Sequence, residues 1–567
     1  MESVIEPFGE GFVTALAPEF VLVIGLFTLM IVPNLGDAKF RIPLTQIRIP
    51  WFFGGKRGTL DSGPRLPGIF ASIFFAIAFL LAIVSFLGGM NQTTVASGEN
   101  ALLKVDEFSR LFELIFYGAL ALASIASINR LPATFRADRS ASGLYNNRRQ
   151  VDFYILLMTC GLGMSVVALA QDMFLLFIGL ELASFSTYVL VAFLKETKEG
   201  SEAGMKYFIV GSVASGVGLY GLSLLYLWAG SLQFTDLAAQ FDTSGMEALP
   251  LAGLGMLLVG FGFKVSAAPF HFAAPDAYAG APGPVAGVLA TASKAMGIVG
   301  LLRILLVVAS PENSDDGTTV WLVALAVMSV VTMTWGNLAA LGSTNPKRML
   351  AYSSVAHAGY MMAAITAIGA LNWEPAHVMD SKSASLAIVT ALMFHLVVLV
   401  CFKLGAFLVL SLLESENGGH TLESLGGLVK REPFLAVAMF IFMMSLAGVP
   451  PLAGFLSKLL VIMGIVKAAL LEASASGNIS FSEIHWVWYL ALIMVINSAV
   501  SVFYYLRVGL VMFFHEPEAG REGPLPKGNS VRLAIAACII STVYFGIGAG
   551  QLIALCESAA NALVGAW

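Results

Sequence analysis

Apolar runs long enough to cross a bilayer recur along the whole chain, separated by polar segments. An α-helix rises about 1.5 Å per residue, so roughly 20 apolar residues span the hydrocarbon core of a membrane. We therefore predict an all-α, polytopic membrane protein with fourteen transmembrane helices. The predicted spans are residues 14–32, 67–89, 107–128, 152–170, 172–195, 203–230, 249–271, 282–309, 319–341, 348–370, 384–414, 434–471, 485–513 and 530–555.

Two of these spans contain residues that a continuous helix does not tolerate. The seventh span contains Pro269, and the twelfth contains "AGVPPLAGF" at residues 447–455. Proline removes a backbone donor and clashes with the preceding turn, so both spans are predicted to be broken helices. The eleventh and twelfth spans are also too long for a simple crossing, which predicts that each is tilted or broken.

The composition agrees with a chain that is dissolved in lipid. Of the 567 residues, 58% are hydrophobic and 12% are charged, with a mean hydropathy of +0.83, whereas soluble chains are about 25% charged. The acidic first residues lack the basic segment of a cleaved signal peptide, so the first span is expected to be retained. The four cysteines form no CxxC pair and are interpreted as packing residues. The sequence has no GxGxxG after a strand, no P-loop and no HExxH, so no cofactor, metal or soluble redox chemistry is expected on this chain.

Basic residues are distributed unevenly between the loops on the two sides of the predicted helices. One set of alternate loops carries twenty of them and the other set carries three. By the positive-inside rule the first set is cytoplasmic, which places both termini on the outer side. The long cytoplasmic loop at 34–66 mixes basic and aromatic residues and is expected to contact lipid headgroups or a partner subunit. The twenty are Lys39, Arg41, Arg48, Lys56, Arg57, Arg65, Arg130, Arg136, Arg139, Arg148, Arg149, Lys195, Lys198, Lys347, Arg348, Lys430, Arg431, Arg521, Lys527 and Arg532, and the three are Lys104, Arg110 and Lys382.

Seven ionisable residues fall inside predicted spans, where a charged side chain costs about 2.5 to 3.5 kcal/mol at mid-membrane. Lys206 has the alternative of an ammonium that reaches water at a membrane face, and His357 has that of a neutral ring bonded to nearby backbone. The lysines least able to reach water at a membrane face are Lys264, Lys294 and Lys458, because their flanks in the sequence are apolar. The seven are Glu181, Lys206, Lys264, Lys294, His357, Lys403 and Lys458.

Spans four to eight and nine to thirteen repeat one arrangement, with a broken helix fourth in each set and a lysine beside each break. Because each set has five spans, the second set begins on the opposite side of the membrane and the repeat is inverted. Interrupted helices at matching positions of two halves indicate an ion site near the bilayer midplane. The predicted units are an N-terminal three-helix segment with long cytoplasmic loops at 1–150, five-helix repeats at 151–310 and 311–515, and a C-terminal helix at 516–567.

Lys264, beside the first break, is subject to two opposing influences. Desolvation disfavours its charged form, whereas a carboxylate such as Glu181 on a neighbouring helix favours it. Backbone carbonyls freed by Pro269 need water or side-chain partners, so a hydrated pocket is expected beside the lysine. A lysine held between these influences can accept and release protons, and the pattern therefore predicts a proton relay.

Five stretches between residues 150 and 470 carry a family resemblance. In order they are "LFIGLELASFSTYVLVAF", "SEAGMKYFIVGSVASGVGLYG", "FKVSAAPFHFAAPDAYAGAPGPV", "NPKRMLAYSSVAHAGYMM" and "LAGVPPLAGFLSKL". They resemble the antiporter-like membrane subunits of complex I, the proton-pumping NADH:quinone oxidoreductase. Tyr278 and Lys458, and the lack of a long amphipathic helix after the fourteenth span, favour the N type of this family over the L and M types.

The resemblance implies a hydrated axis that runs through the membrane arm of the complex. The residues implied to line it are Glu181, Lys206, Lys264, Lys294 and Lys458, with His271 and His357 beside it. Lys403 departs from the N-type pattern. Under the inverted repeat it corresponds to Lys206, so it is expected to face the axis and Lys458 rather than lipid.

The resemblance also implies partners and a location. It implies small membrane subunits of the K, J and A types, large subunits of the L and M types, lipids, and peripheral subunits that hold iron–sulfur clusters, FMN with NADH, and a quinone. It implies a bacterial plasma membrane or an equivalent energy-transducing membrane, and no nucleic-acid partner. NADH, ferredoxin and a deazaflavin all remain open as the electron donor. Two alternatives for the function are a subunit of a multi-subunit cation/proton antiporter and a solo transporter of a small anionic solute, and the lack of an arginine at the breaks disfavours the solo transporter.

Overall fold

The structure, a computed structural model, describes residues 3–31, 39–41, 48–50, 65–88, 92–98, 100–128, 141–244, 247–308, 317–371, 378–414, 421–471, 484–518, 523, 525 and 528–564. Most of the predicted loop at 34–66 lies outside these residues. So do seven of the basic loop residues, which are Lys56, Arg57, Arg130, Arg136, Arg139, Arg521 and Lys527.

Helices form almost all of the described chain, which confirms the all-α, multi-pass prediction. Every predicted span coincides with one helix or with consecutive helices, and eleven of the described segments are long and apolar enough to cross a membrane. The helices are α1 (Phe12–Ala15), α2 (Ala17–Ile31), α3 (Leu66–Leu87), α4 (Glu107–Ser127), α5 (Ala141–Leu169), α6 (Met173–Val191), α7 (Lys198–Ala229), α8 (Phe234–Ser244), α9 (Ala248–Val265), α10 (Ala273–Gly280), α11 (Gly283–Ala290), α12 (Ala292–Leu302), α13 (Gly317–Gly342), α14 (Pro346–Gly369), α15 (Val378–Leu399), α16 (Gly405–Leu413), α17 (Leu428–Arg431), α18 (Pro433–Ala447), α19 (Ala453–Ala469), α20 (Trp488–Phe514), α21 (Asn529–Ile547) and α22 (Gly550–Val564).

Short strands accompany the N-terminal helices. In one sheet β1 (Ser3–Ile5) runs parallel to β4 (Thr93–Ser97), and β4 pairs antiparallel with β5 (Asn100–Val105). A separate antiparallel pair joins β2 (Lys39–Arg41) and β3 (Arg48–Pro50). Asp106 then caps α4, because its carboxylate accepts from the amide of Ser109 at 2.8 Å while the Ser109 hydroxyl accepts from the Asp106 amide at 2.9 Å. The sheet and the cap therefore bring the beginnings of α2 and α4 to the same face of the membrane.

Both predicted helix breaks are present, and both begin in the same way. α9 ends at Val265, and Ser266 follows with a φ of 62°; α18 ends at Ala447, and Gly448 follows with a φ of 86°. A left-handed residue turns the chain out of the helix, and the prolines that follow provide no amide donor with which to resume it. The chain becomes helical again in α10 and α19, so each break exposes the carbonyls of a helix end inside the membrane.

Three spans are irregular, and of these only the eleventh is predicted to be tilted or broken. The eighth span was expected to be continuous, but it bends at Thr291, whose φ of −125° and ψ of −84° separate α11 from α12. The over-long eleventh span contains a π-helical turn at Val400–Leu404 between α15 and α16. The fourteenth span, predicted as one helix at 530–555, ends at Ile547 and is followed by α22. Gly548 stops α21, because glycine is a poor helix former.

The interior is formed by the central helices, and lipid-facing side chains cover the rest. Every residue of Gly283–Leu305 is buried. In the most apolar 18-residue stretch of each span, 94% of the residues are buried in Met379–Leu413, but only 33% in Leu66–Leu87 and 28% in Asn529–Ile547. The exposed positions of the outer helices carry large apolar side chains, which lipid solvates as well as protein does. Polar groups on the central helices are therefore shielded from lipid by a complete layer of helices.

Glycine allows α5 and α6 to approach more closely than other residues would. A methyl group placed on Gly163 would lie 2.5 Å from the amide nitrogen of Ala183 and 2.7 Å from the carbonyl oxygen of Gly179. Small residues at such crossings let helix backbones approach closely in membranes. The contact fixes the position of α6 on α5.

We predict that Gly163→Ala destabilises the protein by roughly 1 to 3 kcal/mol, because the added methyl overpacks a contact made by backbone atoms. The measurement is the midpoint of thermal unfolding of the purified protein in detergent. Gly216→Ala is the matched control, since Gly216 is an exposed helical glycine with no atom within 4 Å of the added methyl. Equal midpoints for the two variants would contradict the close packing of α5 and α6.

Candidate functional site

Lys264 and Glu181 are neighbours, and each is hydrogen-bonded to a different serine. The ammonium of Lys264 donates to the hydroxyl of Ser184 at 2.9 Å, and the hydroxyl of Ser215 donates to the Glu181 carboxylate at 2.6 Å. Glu181 and Ser184 are one turn apart on α6, and the carboxylate and the ammonium interact electrostatically. Lys264 is 3% exposed. A buried cation therefore has a carboxylate as a near neighbour, without a direct ion pair.

Lysines satisfy the carbonyls that the two breaks expose. The ammonium of Lys294 donates to the carbonyl of Val265 at 2.6 Å, and that of Lys458 donates to the carbonyl of Leu446 at 2.7 Å. These carbonyls lie at the ends of α9 and α18, where the negative end of the helix dipole also favours a cation. The sequence predicted that the first break would need donors. The donor is Lys294 of α12, whereas Lys264 donates to Ser184.

Two histidines connect the second break to the centre of the protein. His357 Nδ1 lies 3.0 Å from His395 Nε2, and His395 Nδ1 lies 3.1 Å from the hydroxyl of Ser457. Their rings are stacked with centroids 5.1 Å apart. Each neutral imidazole has one donor and one acceptor nitrogen, so the chain from His357 to Ser457 has a direction that reverses when a proton moves along it. Ser457 precedes Lys458, which brings this chain to the second capping lysine.

Lys403 lies between the two capping lysines. Its side chain is fully buried in the π-helical turn, and no described residue accepts a hydrogen bond from its Nζ. Lys294 and Lys458 both interact with it electrostatically. A π-helical turn inserts one extra residue into a helix and often marks a functional site. Lys403 is therefore in the protein interior and does not face lipid, and its place on the hydrated axis stays a prediction.

Lys206, which is implied to line the axis, and His271, which is implied to lie beside it, are apart from this series. Lys206 is 45% exposed and pairs with Glu202 at 2.6 Å and with Asp276 at 2.7 Å. His271 follows the first break and is partly exposed, with its ring 6.1 Å from that of Trp335. The structure therefore brings together Glu181, Lys264, Lys294, His357, Lys403 and Lys458, but places Lys206 at the rim of the first repeat.

Sequence reasoning missed His395 and misplaced Arg110. His395 lies in the middle of the eleventh span, so the criterion that selected His357 would also have selected it. Arg110 was counted among the loop residues, but it lies in the first turn of α4 and is 2% exposed. A cation this close to the predicted start of a span looks like a loop residue in sequence. Its buried partners, on α2 and α4, are visible only in the structure.

The series is a set of groups that hold and pass protons. Amines and imidazoles gain and lose a proton without breaking any other bond, and the serine hydroxyls between them both donate and accept. Apart from Glu181, its members are bases whose charged forms are disfavoured by burial. Protonation of one member therefore depends on the charge of its neighbours.

Comparison with known proteins identifies the class to which this arrangement belongs. Residues 170–481 match the family described as NADH:quinone oxidoreductase/Mrp antiporter, TM. The chain belongs to this family of membrane proteins, which confirms the resemblance noted in the sequence.

The curated relatives are more specific. NADH-quinone oxidoreductase subunit N of Heliobacterium modesticaldum is 35% identical over 496 residues, which cover 88% of this chain and 93% of the relative. NADH-quinone oxidoreductase subunit N 2 of Roseiflexus castenholzii is also 35% identical, over 86% of this chain and 88% of the relative. The chain thus groups with relatives of the N type.

Solved structures show the same fold. A chain of respiratory complex I from Thermus thermophilus has a TM-score of 0.68 and 28% identity, and the match covers 95% of this chain and 98% of that one. A chain of the Mrp complex from Dietzia has a TM-score of 0.74 at 19% identity, with 97% of both chains covered. The likeness to the Mrp chain shows a shared fold alone.

Proposed function

We propose that this chain is a proton-translocating subunit in the membrane arm of a quinone-reducing, complex I-type enzyme. The observation that carries the proposal is the buried series from Glu181 through Lys264, Lys294 and Lys403 to Lys458. These five groups are not needed for packing, since each could be replaced by an apolar residue at a gain in insertion energy. Electron transfer is assigned to partner subunits that hold the iron–sulfur clusters, the FMN and the quinone site.

The charges of the series explain how it passes protons. Glu181 stabilises a proton on Lys264 while it remains an anion, and loses that effect when it is itself protonated or moved away. Lys294, Lys403 and Lys458 repel one another when charged, because the low dielectric of the interior strengthens their interaction. A proton that arrives at one lysine therefore promotes release from the next. The histidine chain from His357 to Ser457 offers a second route to Lys458.

The assembly and orientation form part of the same proposal. The chain would sit in an energy-transducing membrane beside other antiporter-like subunits and small membrane subunits, with both termini on the outer side. The excess of basic residues in one set of loops supports this orientation. Migration of the chain on a blue-native gel with a very large assembly that contains flavin and iron–sulfur clusters tests it. Migration with a small assembly that lacks both would favour the cation/proton antiporter.

Lys264→Ala is expected to reduce the number of protons translocated per electron to well under half of the wild-type value, while the complex still assembles. The lysine is the cation nearest Glu181, and alanine cannot carry its proton. The measurement is acidification of reconstituted vesicles against quinone reduction. Lys467→Ala is the matched control, because Lys467 is an exposed lysine that donates to Ser383. Wild-type pumping per electron in Lys264→Ala would sink the proposal.

Glu181→Gln is expected to slow coupled turnover more than Glu181→Asp. Glutamine keeps a hydrogen-bond acceptor for Ser215 but removes the charge that holds the proton on Lys264, whereas aspartate keeps the charge one methylene further away. The rate of quinone reduction in coupled vesicles, with and without an uncoupler, measures the effect. Equal and near-wild-type rates for both variants would count against the pairing.

Lys403→Met is expected to lower coupled proton transfer and to shift its pH profile, at an unchanged or raised amount of complex. Methionine fills the same space, and the loss of a buried cation without a partner does not cost stability. Lys467→Met serves as the control for loss of a lysine from the surface. A wild-type rate and pH profile in Lys403→Met would show that Lys403 is not a member of the relay.

A further inference from the structure

A second group of buried ionisable side chains lies outside the lysine series, where α2, α4 and α5 meet. It contains Glu19 from α2 and Arg110 and Glu113 from α4, with Tyr117 and Ser165 around them. The side chains of Arg110, Glu113 and Glu19 are 2%, 0% and 13% exposed. One guanidinium thus faces two carboxyl groups in a place where an unbalanced charge is costly.

The guanidinium is fully engaged. Arg110 donates to Oε2 of Glu113 and to the carbonyl of Ala15, and its Nε donates to the hydroxyl of Ser85 at 2.9 Å. Its Nη1 also lies 3.5 Å from Oε1 of Glu19. Arg110 therefore occupies the position that a metal cation would take between the two carboxyl groups, which leaves a proton as the ion that can balance the second carboxyl.

A count of hydrogen-bond donors places that proton. Oε1 of Glu19 accepts from the hydroxyl of Tyr117 at 3.0 Å and from that of Ser165 at 2.7 Å. The same Ser165 oxygen lies 3.3 Å from Oε1 of Glu113. A serine hydroxyl has a single proton, which is directed to the nearer oxygen of Glu19. Oε1 of Glu113 and the Ser165 oxygen are then two acceptors in contact, unless Glu113 carries a proton and donates it.

The surroundings of the pair contain no further charge among the described residues. The titratable groups that face it are Arg110 and Tyr117 from α4, while α3 contributes Ser85 and α5 contributes Ser165. Oε2 of Glu19 is buried and has no hydrogen-bond partner in the described part of the chain. The pair therefore has one open oxygen towards which a proton can move.

We propose that Glu19 and Glu113 form a proton-binding site in which the two carboxyl groups share one proton beside Arg110. In the arrangement described, the proton is on Oε1 of Glu113 and Glu19 is ionised. The site exchanges protons with the membrane face at which α2 and α4 begin. It is a carboxyl site in the N-terminal helices, separate from the lysine series of the two repeats.

The position of the site connects it to that series. Ser165 lies five residues after Cys160 on α5, a rise of about 7.5 Å, and Cys160 is a near neighbour of Lys264. Ala170, just beyond the end of α5, pairs with Leu103 of β5 at the membrane face. The carboxyl pair thus lies between Lys264 and that face. Its use in transport rests on the proposed function, whereas its ability to bind a proton does not.

Infrared spectroscopy of the purified complex at neutral pH tests proton binding without turnover. The wild type is expected to show a C=O stretch of a protonated carboxyl that shifts in D2O and is lost in both Glu113→Gln and Glu19→Gln. Glu247→Gln, which alters an exposed carboxylate, is the control and should keep the band. Retention of the band in both pair variants would overturn the proposal and leave a purely structural ion triad.

The amount of assembled complex tests whether Arg110 is balanced by one ionised carboxyl group, that of Glu19, with Glu113 neutral. Glu113→Gln mimics the protonated side chain and leaves Arg110 balanced by Glu19, so wild-type abundance is expected. The double variant Glu19→Gln/Glu113→Gln leaves a buried guanidinium without a counter-ion, and abundance should fall by about tenfold or more. Adding Arg110→Met to the double variant should restore it. An equal loss in Glu113→Gln alone would show that Glu113 is ionised and would contradict the shared proton.

The ratio of protons to electrons separates this site from the proposed function. Glu113→Gln in reconstituted vesicles should translocate fewer protons per electron than Glu247→Gln. If the infrared band is lost but the ratio is unchanged, the carboxyl pair does not exchange protons with the transported ones. The proposed function is tested independently by Lys264→Ala.

Discussion

A carbonyl that leaves its helix inside a membrane needs a donor to replace the amide it has lost, and water is not freely available there. The two breaks in this chain create this need at Val265 and at Leu446, and lysine ammonium groups meet it. The breaks and the buried lysines are therefore one feature. A cation compensates the end of the helix, and the helix end in turn makes a cation tolerable in the interior.

Helix α5 connects the first repeat, which contains the first break, with the N-terminal helices. α5 packs on α6 through Gly163 and Gly179, and α6 carries both Glu181 and the serine that accepts from Lys264. Two residues after Gly163, α5 carries Ser165, which faces the two N-terminal carboxyl groups. A single rigid contact between two helices therefore fixes the geometry of the first repeat relative to the three helices that precede it.

The sequence predicts the general plan because the plan depends on local patterns. Apolar length predicts the spans, and proline with neighbouring glycine predicts the breaks near Pro269 and Pro450. Isolated lysines within apolar runs predict the buried series. These features are properties of a few consecutive residues, so a single sequence is enough to find them.

Contacts between residues that are far apart in the sequence cannot be predicted from such local patterns. The sequence does not show that Lys294, and not Lys264, caps the first break, because the choice depends on how α12 packs on α9. It does not show the link between His357 and His395, which are 38 residues apart. Nor does it show that Arg110 is buried, since its partner Glu19 lies 91 positions earlier in the sequence. The bend at Thr291 is likewise not predicted, because its sequence neighbours, Ala290 and Ala292, do not break helices.

The two capping arrangements differ in which piece of the broken helix carries the lysine. In the first repeat, Lys264 belongs to the piece before the break and the cap comes from another helix, α12. In the second repeat, Lys458 belongs to the piece after the break and caps the piece before it, so the two halves of one broken helix hold each other. A tilt of α19 pulls this ammonium directly from its carbonyls, whereas a tilt of α10 leaves the first cap in place. In the second repeat, motion of the broken helix itself therefore breaks its cap. In the first repeat, the cap breaks only when α12 moves relative to α9.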